Sequence, residues 1–437
     1  MPHRALRQSA TVARRLALVA AGLAAAVLGS LALGVLAPGI PLIGLAGRWH
    51  VLDHGAWWLL AALGAALALA IAASGSARRR PYRVLAGLAI VALMAAAVFG
   101  VALGSAGGAA LTHGVPSAPI LIAGAVAPSP AAAPPATSSE VYARDAETGD
   151  ELLVDIYRPA DPTVVAAVLL SVHGGGWILH DRSLHARTLG QLADEGIVVM
   201  AIDYALATRD RATWQSAADQ TACALAWAAA NAERFGGDPE LIVLAGDSAG
   251  GGLALATAYR AAAGAPTPDC GLSSEGVSES RPLPVPAGVA GVVPVVDVEE
   301  FHANPEPIMG RYARTMVERY LGGTPAEHPD RAAAVDAMTH LTAPAPPTLL
   351  VTVAHDHLVP SDGTRMLAAA ATARGVPVTL VEVPFGDHGL IAEAEGIGAS
   401  LWRAALVRFI AGLERDSRPA PTAHPAPSGV RATSPVT

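Results

Sequence analysis

Three long runs of apolar residues occupy the first quarter of the chain, at Leu16–Ala37, Ala56–Ser74 and Val84–Gly104. Each run is close to the roughly 20 residues that a helix needs to cross a bilayer, and none contains a charged side chain. A core helix of a soluble domain is usually amphipathic or shorter. The pattern therefore predicts three membrane-spanning helices within residues 1–104.

From Val141 onward, short apolar runs alternate with stretches of helical periodicity. The short runs predict strands at Leu152–Arg158, Val164–Val172, Ile197–Tyr204, Leu241–Ala245, Val289–Val296, Thr348–Val353 and Val378–Val383. The stretches between them predict helices at Leu184–Glu195, Ala212–Phe235, Gly251–Ala263, Thr364–Arg374 and Ala399–Glu414. This alternation favours the α/β class, with a mostly parallel sheet covered on both faces. We predict one such domain over residues 138–415.

Two segments of biased composition flank this domain. Residues 105–137 are rich in Ala, Pro, Gly and Ser, which predicts a linker or stalk. Residues 416–437 are similarly rich in Pro, Ala and Ser, which predicts a disordered tail.

Charge divides the chain into two unequal parts. The first 137 residues hold nine arginines and one acidic residue, whereas the remaining 300 hold 20 arginines and 36 acidic residues, and the chain has no lysine. Four arginines precede the first apolar run and four separate the second from the third, but only Arg48 separates the first from the second. The positive-inside rule then predicts a cytoplasmic N-terminus and an extracytoplasmic α/β domain. The acidic domain argues against nucleic acid as a partner.

Details of the N-terminal segment fit the same orientation. Trp57 and Trp58 would lie at the outer interface, where indole rings are favoured. Arg14 and Arg15 before the first run also resemble a twin-arginine secretory signal. If that run were cleaved, the other two would still leave the α/β domain outside the membrane.

Only two cysteines are present, Cys223 and Cys270. A disulfide scaffold is excluded for a domain large enough to bury its own core. One bridge is possible in an exported domain, but the pattern favours a buried thiol at Cys223 and an incidental loop cysteine at Cys270.

The most informative motif is Gly246-Asp-Ser-Ala-Gly250, which lies between a predicted strand and a predicted helix. A G-x-S-x-G sequence in this context is typical of a nucleophile elbow, in which a sharp turn exposes the serine hydroxyl. Ser248 is therefore the candidate nucleophile. A plain glycine-rich strand–helix turn is the alternative for the isolated match.

A second glycine motif, His173-Gly-Gly-Gly-Trp177, follows another predicted strand. Acyl transfer generates an oxyanion, which needs backbone N–H donors that no side chain obstructs. We expect Gly174, Gly175, Gly176 and Ala249 to supply them. Trp177 is a candidate for the acyl pocket, with simple packing as the alternative.

An acid and a base follow Ser248 in the chain order that this arrangement requires. Asp356 lies just after the strand Thr348–Val353, and His388 follows the strand Val378–Val383. Both are placed at carboxyl ends of strands, so the three side chains can converge. Asp362 and Asp387 are the alternative acids.

Four further histidines lie near these motifs, and we assign none of them a catalytic role. His355 and His357 raise the question of a metal, but no further ligands of suitable spacing accompany them, so we expect none. His180 and His185 follow the glycine motif at helical spacing and are expected at the surface.

Residues 301–341 carry apolar side chains between two strands and predict a helical cap, with a surface excursion as the alternative.

Together these motifs resemble the α/β-hydrolases of the hormone-sensitive-lipase-like and bacterial carboxylesterase type over about residues 140–414. The resemblance implies an eight-stranded sheet, ester hydrolysis without a cofactor, and an oxyanion hole that includes Gly175, Gly176 and Ala249. Asp203-Tyr-Ala-Leu-Ala207 departs from the D-Y-R-L-A-P-E stretch of that family, and Gly252 stands where Asn is common. These departures affect the subfamily and the substrate, not the three candidate catalytic residues.

The function that the sequence predicts is a membrane-anchored serine esterase or lipase-like hydrolase acting on a small or lipid ester. An acyltransferase or deacetylase of the cell envelope would use the same residues and is separated only by its products. A serine peptidase of this fold and a non-enzymatic membrane protein are further alternatives. The sequence does not specify acyl chain length or oligomeric state.

Overall fold

The computed structural model describes residues 2–74, 81–112, 134–161, 165–271 and 281–417. It begins with three long helices: α1 (Pro2–Leu36), α2 (Ile43–Ser74) and α3 (Pro81–Thr112). Their segments Thr11–Leu36, Ile43–Ser74 and Tyr82–Thr112 are long and apolar enough to cross a membrane.

Two of these helices extend beyond the predicted apolar runs. Helix α2 begins at Ile43 rather than near Ala56, and its additional turns contain Arg48 and Asp53. A hydropathy pattern misses such turns because they are polar. Helix α3 continues to Thr112, so the predicted linker boundary at residue 105 is too early. Residues 113–133 of that linker and residues 418–437 of the predicted tail lie outside the described residues.

The α/β domain is built on an eight-stranded sheet in the order β1-β2-β4-β3-β5-β6-β7-β8. Strands β1 and β2 are antiparallel to their neighbours and the others run parallel. The strands are β1 (Ser138–Arg144), β2 (Glu151–Tyr157), β3 (Ala166–Val172), β4 (Val198–Ile202), β5 (Gly237–Asp247), β6 (Gly288–Val292), β7 (Thr348–Val353) and β8 (Val378–Val383). The predicted α/β class and eight-stranded sheet are confirmed. The sequence pattern missed β1, whose polar residues hide its alternation.

Helices cover both faces of this sheet. They are α4 (Ala186–Asp194), α5 (Trp214–Asn231), α6 (Ser248–Ala262), α7 (Val298–His302), α8 (Met309–Leu321), α9 (Pro329–Val335), α10 (Ala337–His340), α11 (Ser361–Ala373) and α12 (Ile397–Ser417), with 3₁₀ turns at Ala232–Phe235 and His388–Ile391. The predicted helix Ala212–Phe235 is thus divided between α5 and a 3₁₀ turn. Helices α7 to α10 occupy the segment predicted as a cap.

Strand β3 shows why the sheet is buried on both faces. Its side chains alternate in direction, as in any strand. Val168 and Leu170 join one apolar cluster, whereas Ala167 and Leu169 join the cluster on the opposite face. That second cluster continues into the membrane helices through Val35 and Leu52. The α/β domain and the ends of α1 and α2 therefore share one apolar core.

The two cysteines form a disulfide, contrary to the expectation of unpaired thiols. Cys223 lies on α5 and Cys270 in the loop after α6, with their Cα atoms 5.6 Å apart. The sequence allowed this bridge, but no local pattern indicated that two residues 47 positions apart lie close together. The bridge fastens that loop to the helix layer.

Candidate active site

Strand β5 ends at Asp247 and helix α6 begins at Ser248, so the chain reverses at the predicted nucleophile. Ser248 has φ of 52°, in the left-handed region that is costly for a residue with a Cβ. The turn also requires glycine at two positions. A Cβ at Gly246 would collide with the Gly250 backbone, and a Cβ at Gly250 would collide with the carbonyl oxygens of Val172 and His173.

The structure brings the three predicted catalytic side chains together. The Ser248 Oγ lies 3.0 Å from His388 Nε2, and His388 Nδ1 lies 2.8 Å from the Asp356 carboxylate. The other Asp356 oxygen accepts hydrogen bonds from the backbone N–H groups of Leu358 and Val359, at 2.8 and 2.7 Å. Those two bonds fix the carboxylate toward the imidazole.

Opposing electrostatic effects act on His388. Burial disfavours its charged form, but the nearby charges of Asp356, Asp387 and Asp247 outweigh burial and raise its pKa above the ordinary value of 6.5. Ser248 is only 6% exposed, so the Ser248–His388 contact is largely shielded from bulk water. Such a site stabilises an imidazolium that forms when the histidine accepts a proton.

The glycine loop lies beside the serine, but one predicted donor is already used. The Gly174 N–H donates to the Asp247 carboxylate at 2.9 Å, which corrects its assignment to the oxyanion hole. Gly175 and Gly176 have φ of 106° and 58°, conformations that favour glycine. Gly175, Gly176 and Ala249 remain the candidate donors.

The sequence did not identify the side chains that hold this loop. Asp247 accepts the Gly174 N–H and lies 3.3 Å from His185 Nε2, so His185 is not the surface residue that was expected. The Tyr204 hydroxyl donates to the His173 carbonyl oxygen at 2.9 Å, and its ring stacks on the His173 ring. Asp247 occupies a variable position of the G-x-S-x-G motif, which is why the motif gave no signal for it.

The two alternative acids lie elsewhere. Asp387 accepts hydrogen bonds from the backbone N–H of His357 and of His388, at 2.9 and 2.8 Å, and also from the His357 ring. Asp362 is mostly exposed and pairs with Arg365. The contact with the His388 ring nitrogen belongs to Asp356.

Trp177 is 2% exposed and stacks on Tyr320 of α8, with ring centroids 4.1 Å apart. Its edge meets Phe301 of α7. The structure therefore places Trp177 in the packing between the glycine loop and helices α7 and α8, rather than on a surface open to an acyl chain. On the same side, a Cβ at Gly176 would collide with the Met316 sulfur, so α8 covers the loop.

Within the described residues, Glu306, His355 and His357 have candidate metal-ligating atoms within 4.8 Å of one another. The sequence did not bring Glu306 into this group, because it lies on a distant segment. Both ring nitrogens of His357 contact protein oxygens: Nδ1 contacts the Asp387 carboxylate and Nε2 lies 3.0 Å from the Pro38 carbonyl oxygen. His357 therefore acts as a hydrogen-bond donor on both sides, which leaves no lone pair for a metal.

The sequence profile of the alpha/beta hydrolase fold matches residues 169–392, and the chain belongs to this family. The match includes the glycine loop, Ser248, Asp356 and His388. This fold combines a mostly parallel sheet with a serine elbow at the end of a central strand.

Named relatives are esterases and lipases. Esterase LipC of Mycobacterium tuberculosis is 29% identical over 257 residues, covering 57% of this chain and 60% of LipC. Carboxylesterase NlhH of the same organism is 29% identical over 308 residues, covering 62% of this chain and 86% of NlhH. The chain spans only 52–60% of LipC, LipQ and LipM. The native esterase Est2 of Thermogutta terrifontis matches with a TM-score of 0.50 and 23% identity, over 66% of this chain and 96% of Est2, which concerns the fold alone.

Proposed function

We propose that this protein is a serine carboxylesterase in which Ser248 is the nucleophile, His388 the general base and Asp356 the residue that orients it. The observation that carries this proposal is the continuous contact from Ser248 Oγ to His388 Nε2 and from His388 Nδ1 to Asp356. The naming of several relatives as esterases supports the same chemistry.

The reaction proceeds in two steps. His388 accepts the hydroxyl proton as the Ser248 oxygen attacks the ester carbonyl, and the carbonyl oxygen gains negative charge. The N–H groups of Gly175, Gly176 and Ala249 stabilise that charge. His388 then gives its proton to the departing alcohol, which leaves an acyl-serine. His388 then accepts a proton from water as the water oxygen attacks the acyl group, and it returns that proton to the Ser248 oxygen as the acid leaves.

Asp356 acts through the histidine. Its hydrogen bond holds the His388 tautomer that presents Nε2 to the serine, and its charge stabilises the imidazolium. The raised pKa of His388 follows from this carboxylate together with Asp387 and Asp247, which together exceed the effect of burial. The base is thus strengthened although its side chain is only 10% exposed.

We also propose that the α/β domain works outside the cytoplasmic membrane, anchored by α1, α2 and α3. The length and apolar character of the three helices support anchoring, and the arginine distribution supports an N-terminus in the cytoplasm. The Cys223–Cys270 disulfide supports an oxidising compartment for the domain.

The direct test of the chemistry is hydrolysis of p-nitrophenyl esters by the full-length protein in lipid vesicles, compared with Ser248→Ala. We expect turnover to fall by about a millionfold, the scale of loss when the serine of such a triad is removed. Ser216→Ala, a change at a partly buried serine of α5, is the matched control and should retain turnover. Ester hydrolysis that persists in Ser248→Ala would refute the assignment.

A further inference from the structure

The loop that carries His388 packs against the membrane helices. We call residues 384–396 the base loop and residues 35–53 the membrane hairpin. Trp49 lies beside Gly389, and Leu52 lies beside Gly386, where an added Cβ would be 3.4 Å from the Leu52 Cδ1 atom. These contacts join segments more than 300 positions apart in the sequence.

Trp49 occupies the space next to the catalytic base. Its ring centroid lies 6.2 Å from the His388 ring centroid, with the two planes at 47°. A Cβ at Gly389 would come within 2.6 Å of the Trp49 Nε1 atom, so the absence of a side chain at position 389 is what admits the indole. The ring therefore closes the side of the base loop that faces the membrane helices.

Hydrogen bonds make a second connection between the same two segments. The Pro38 carbonyl oxygen lies 3.0 Å from His357 Nε2, and His357 Nδ1 donates to Asp387. Asp387 in turn accepts the backbone N–H of His388 at 2.8 Å. Burial lowers the pKa of His357, but its bonds to Asp387 and Pro38 outweigh burial and raise that pKa above its ordinary value. The hairpin backbone is thus linked to the backbone of the base in three contacts.

A third contact acts at the start of the base loop. Phe385 has φ of 61°, a left-handed conformation that a residue with a side chain adopts only when its surroundings hold it. The Arg48 guanidinium lies 5.0 Å from the centre of the Phe385 ring, while the Arg48 Nε donates to the Val35 carbonyl oxygen at 2.8 Å. The cation therefore spans the hairpin and holds the strained residue from one side.

From these three contacts we propose that the membrane hairpin holds the base loop in its catalytic position. Within the hairpin, Trp49 is a positioning residue for His388. The inference rests on the proposed function, because it assigns Trp49 a role in proton transfer between Ser248 and His388. In this role Trp49 acts on His388 and the base loop, beside which it packs, and no contact with the substrate is assigned to it. It should accordingly affect kcat and leave KM unchanged. A shift of about 1 Å at a catalytic group can cost roughly 100-fold in rate.

The test compares Trp49→Leu, Trp49→Phe and wild type as full-length proteins in phosphatidylcholine vesicles. Ester hydrolysis is expressed per active serine, counted by titration with a fluorophosphonate. We expect kcat to fall about 10- to 100-fold in Trp49→Leu, with KM and melting temperature near wild type. We expect Trp49→Phe, which restores an aromatic ring, to recover most of kcat. Trp57→Leu changes an exposed indole on the same helix and should behave as wild type.

Other results would overturn the inference. A wild-type kcat per active serine in Trp49→Leu would do so, and so would a lower melting temperature with unchanged kcat, which marks a purely structural role. An equal fall of kcat in Trp57→Leu would show that the effect comes from the contact of α2 with the bilayer rather than from the contact of Trp49 with His388. Ser248→Ala in the same vesicles separates the two proposals: if it is inactive while Trp49→Leu is normal, only the role of Trp49 fails.

Discussion

The two sides of the candidate active site are held in different ways. On the nucleophile side, Ser248 and the glycine loop are fixed by their own domain, through Asp247, Tyr204 and glycines that fit only at close backbone contacts. On the base side, the loop of His388 rests on the membrane hairpin through Trp49 and the Pro38 carbonyl.

This difference indicates that two regions of the chain support different parts of the candidate site. The α/β fold alone accounts for the strained serine and the candidate oxyanion donors, since these lie in the turn after β5 and in the loop after β3, two strands that are neighbours in the sheet. The base loop instead takes part of its support from a segment that the hydrolase fold does not include. The membrane region would then influence the rate of the reaction as well as the location of the enzyme.

The largest effect that we predict on the base side comes from Asp356→Asn. The change should lower kcat by about 10,000-fold, because the amide no longer selects the correct tautomer or stabilises the imidazolium. His388 must be neutral to accept the proton, so activity rises as pH increases through its pKa. Burial lowers that pKa and the charge of Asp356 raises it, so the residual acid limb should move to lower pH in the variant.

The measurement is a pH profile of kcat/KM for both proteins. Asp362→Asn is the matched control, because that carboxylate is mostly exposed and forms an ion pair with Arg365 on its own helix. An acid limb that moves to higher pH, or a near-normal rate in Asp356→Asn, would contradict the role of Asp356.

A smaller effect should come from the nucleophile side, with Gly176→Ala. Its φ of 58° and the close approach of Met316 leave no room for a Cβ, so the loop must shift away from the oxyanion. Loss of a donor of this kind costs about 100- to 1,000-fold in kcat. Gly149→Ala is the control, because Gly149 has a similar φ of 76° but open space around it. It introduces backbone strain without a collision of the new Cβ. If both variants lose the same activity, the loop geometry is not the cause.

The smallest effect on catalysis should come from the disulfide, which belongs to neither side of the site. Replacing Cys223 and Cys270 by serine removes a 47-residue cross-link, worth about 4 kcal/mol if chain entropy alone acts. We expect faster thermal inactivation with unchanged kcat and KM. A large fall in kcat at low temperature would show that the bridge supports the site after all.

Much of the nucleophile side could be predicted from sequence for a physical reason. The elbow and the glycine loop need small residues at fixed positions, so Ser248 and Gly175 stand in recognisable patterns. On the base side, Asp356 and His388 themselves could be predicted, because each lies within five residues of the end of an apolar strand. Gly174 shows the limit, since its occupied N–H depends on the side chain of Asp247.

The contacts that support the base loop could not be predicted in the same way. Its contacts join Trp49 to His388 and Pro38 to His357, pairs that no local pattern connects. The first turns of α2 escaped the hydropathy pattern because they contain Arg48 and Asp53. The packing of Trp177 could not be predicted either. Its aromatic character suggested a pocket, but its stacking partner Tyr320 lies on a helix far away in the sequence.

The most direct test of the central claim is to locate the covalent adduct that a fluorophosphonate leaves on the full-length protein in membranes. After proteolysis and mass spectrometry, we predict one modified residue, Ser248, with labelling greatly slowed in His388→Ala. An adduct at another residue, or steady ester hydrolysis by fully labelled protein in which Ser248 is unmodified, would contradict the account.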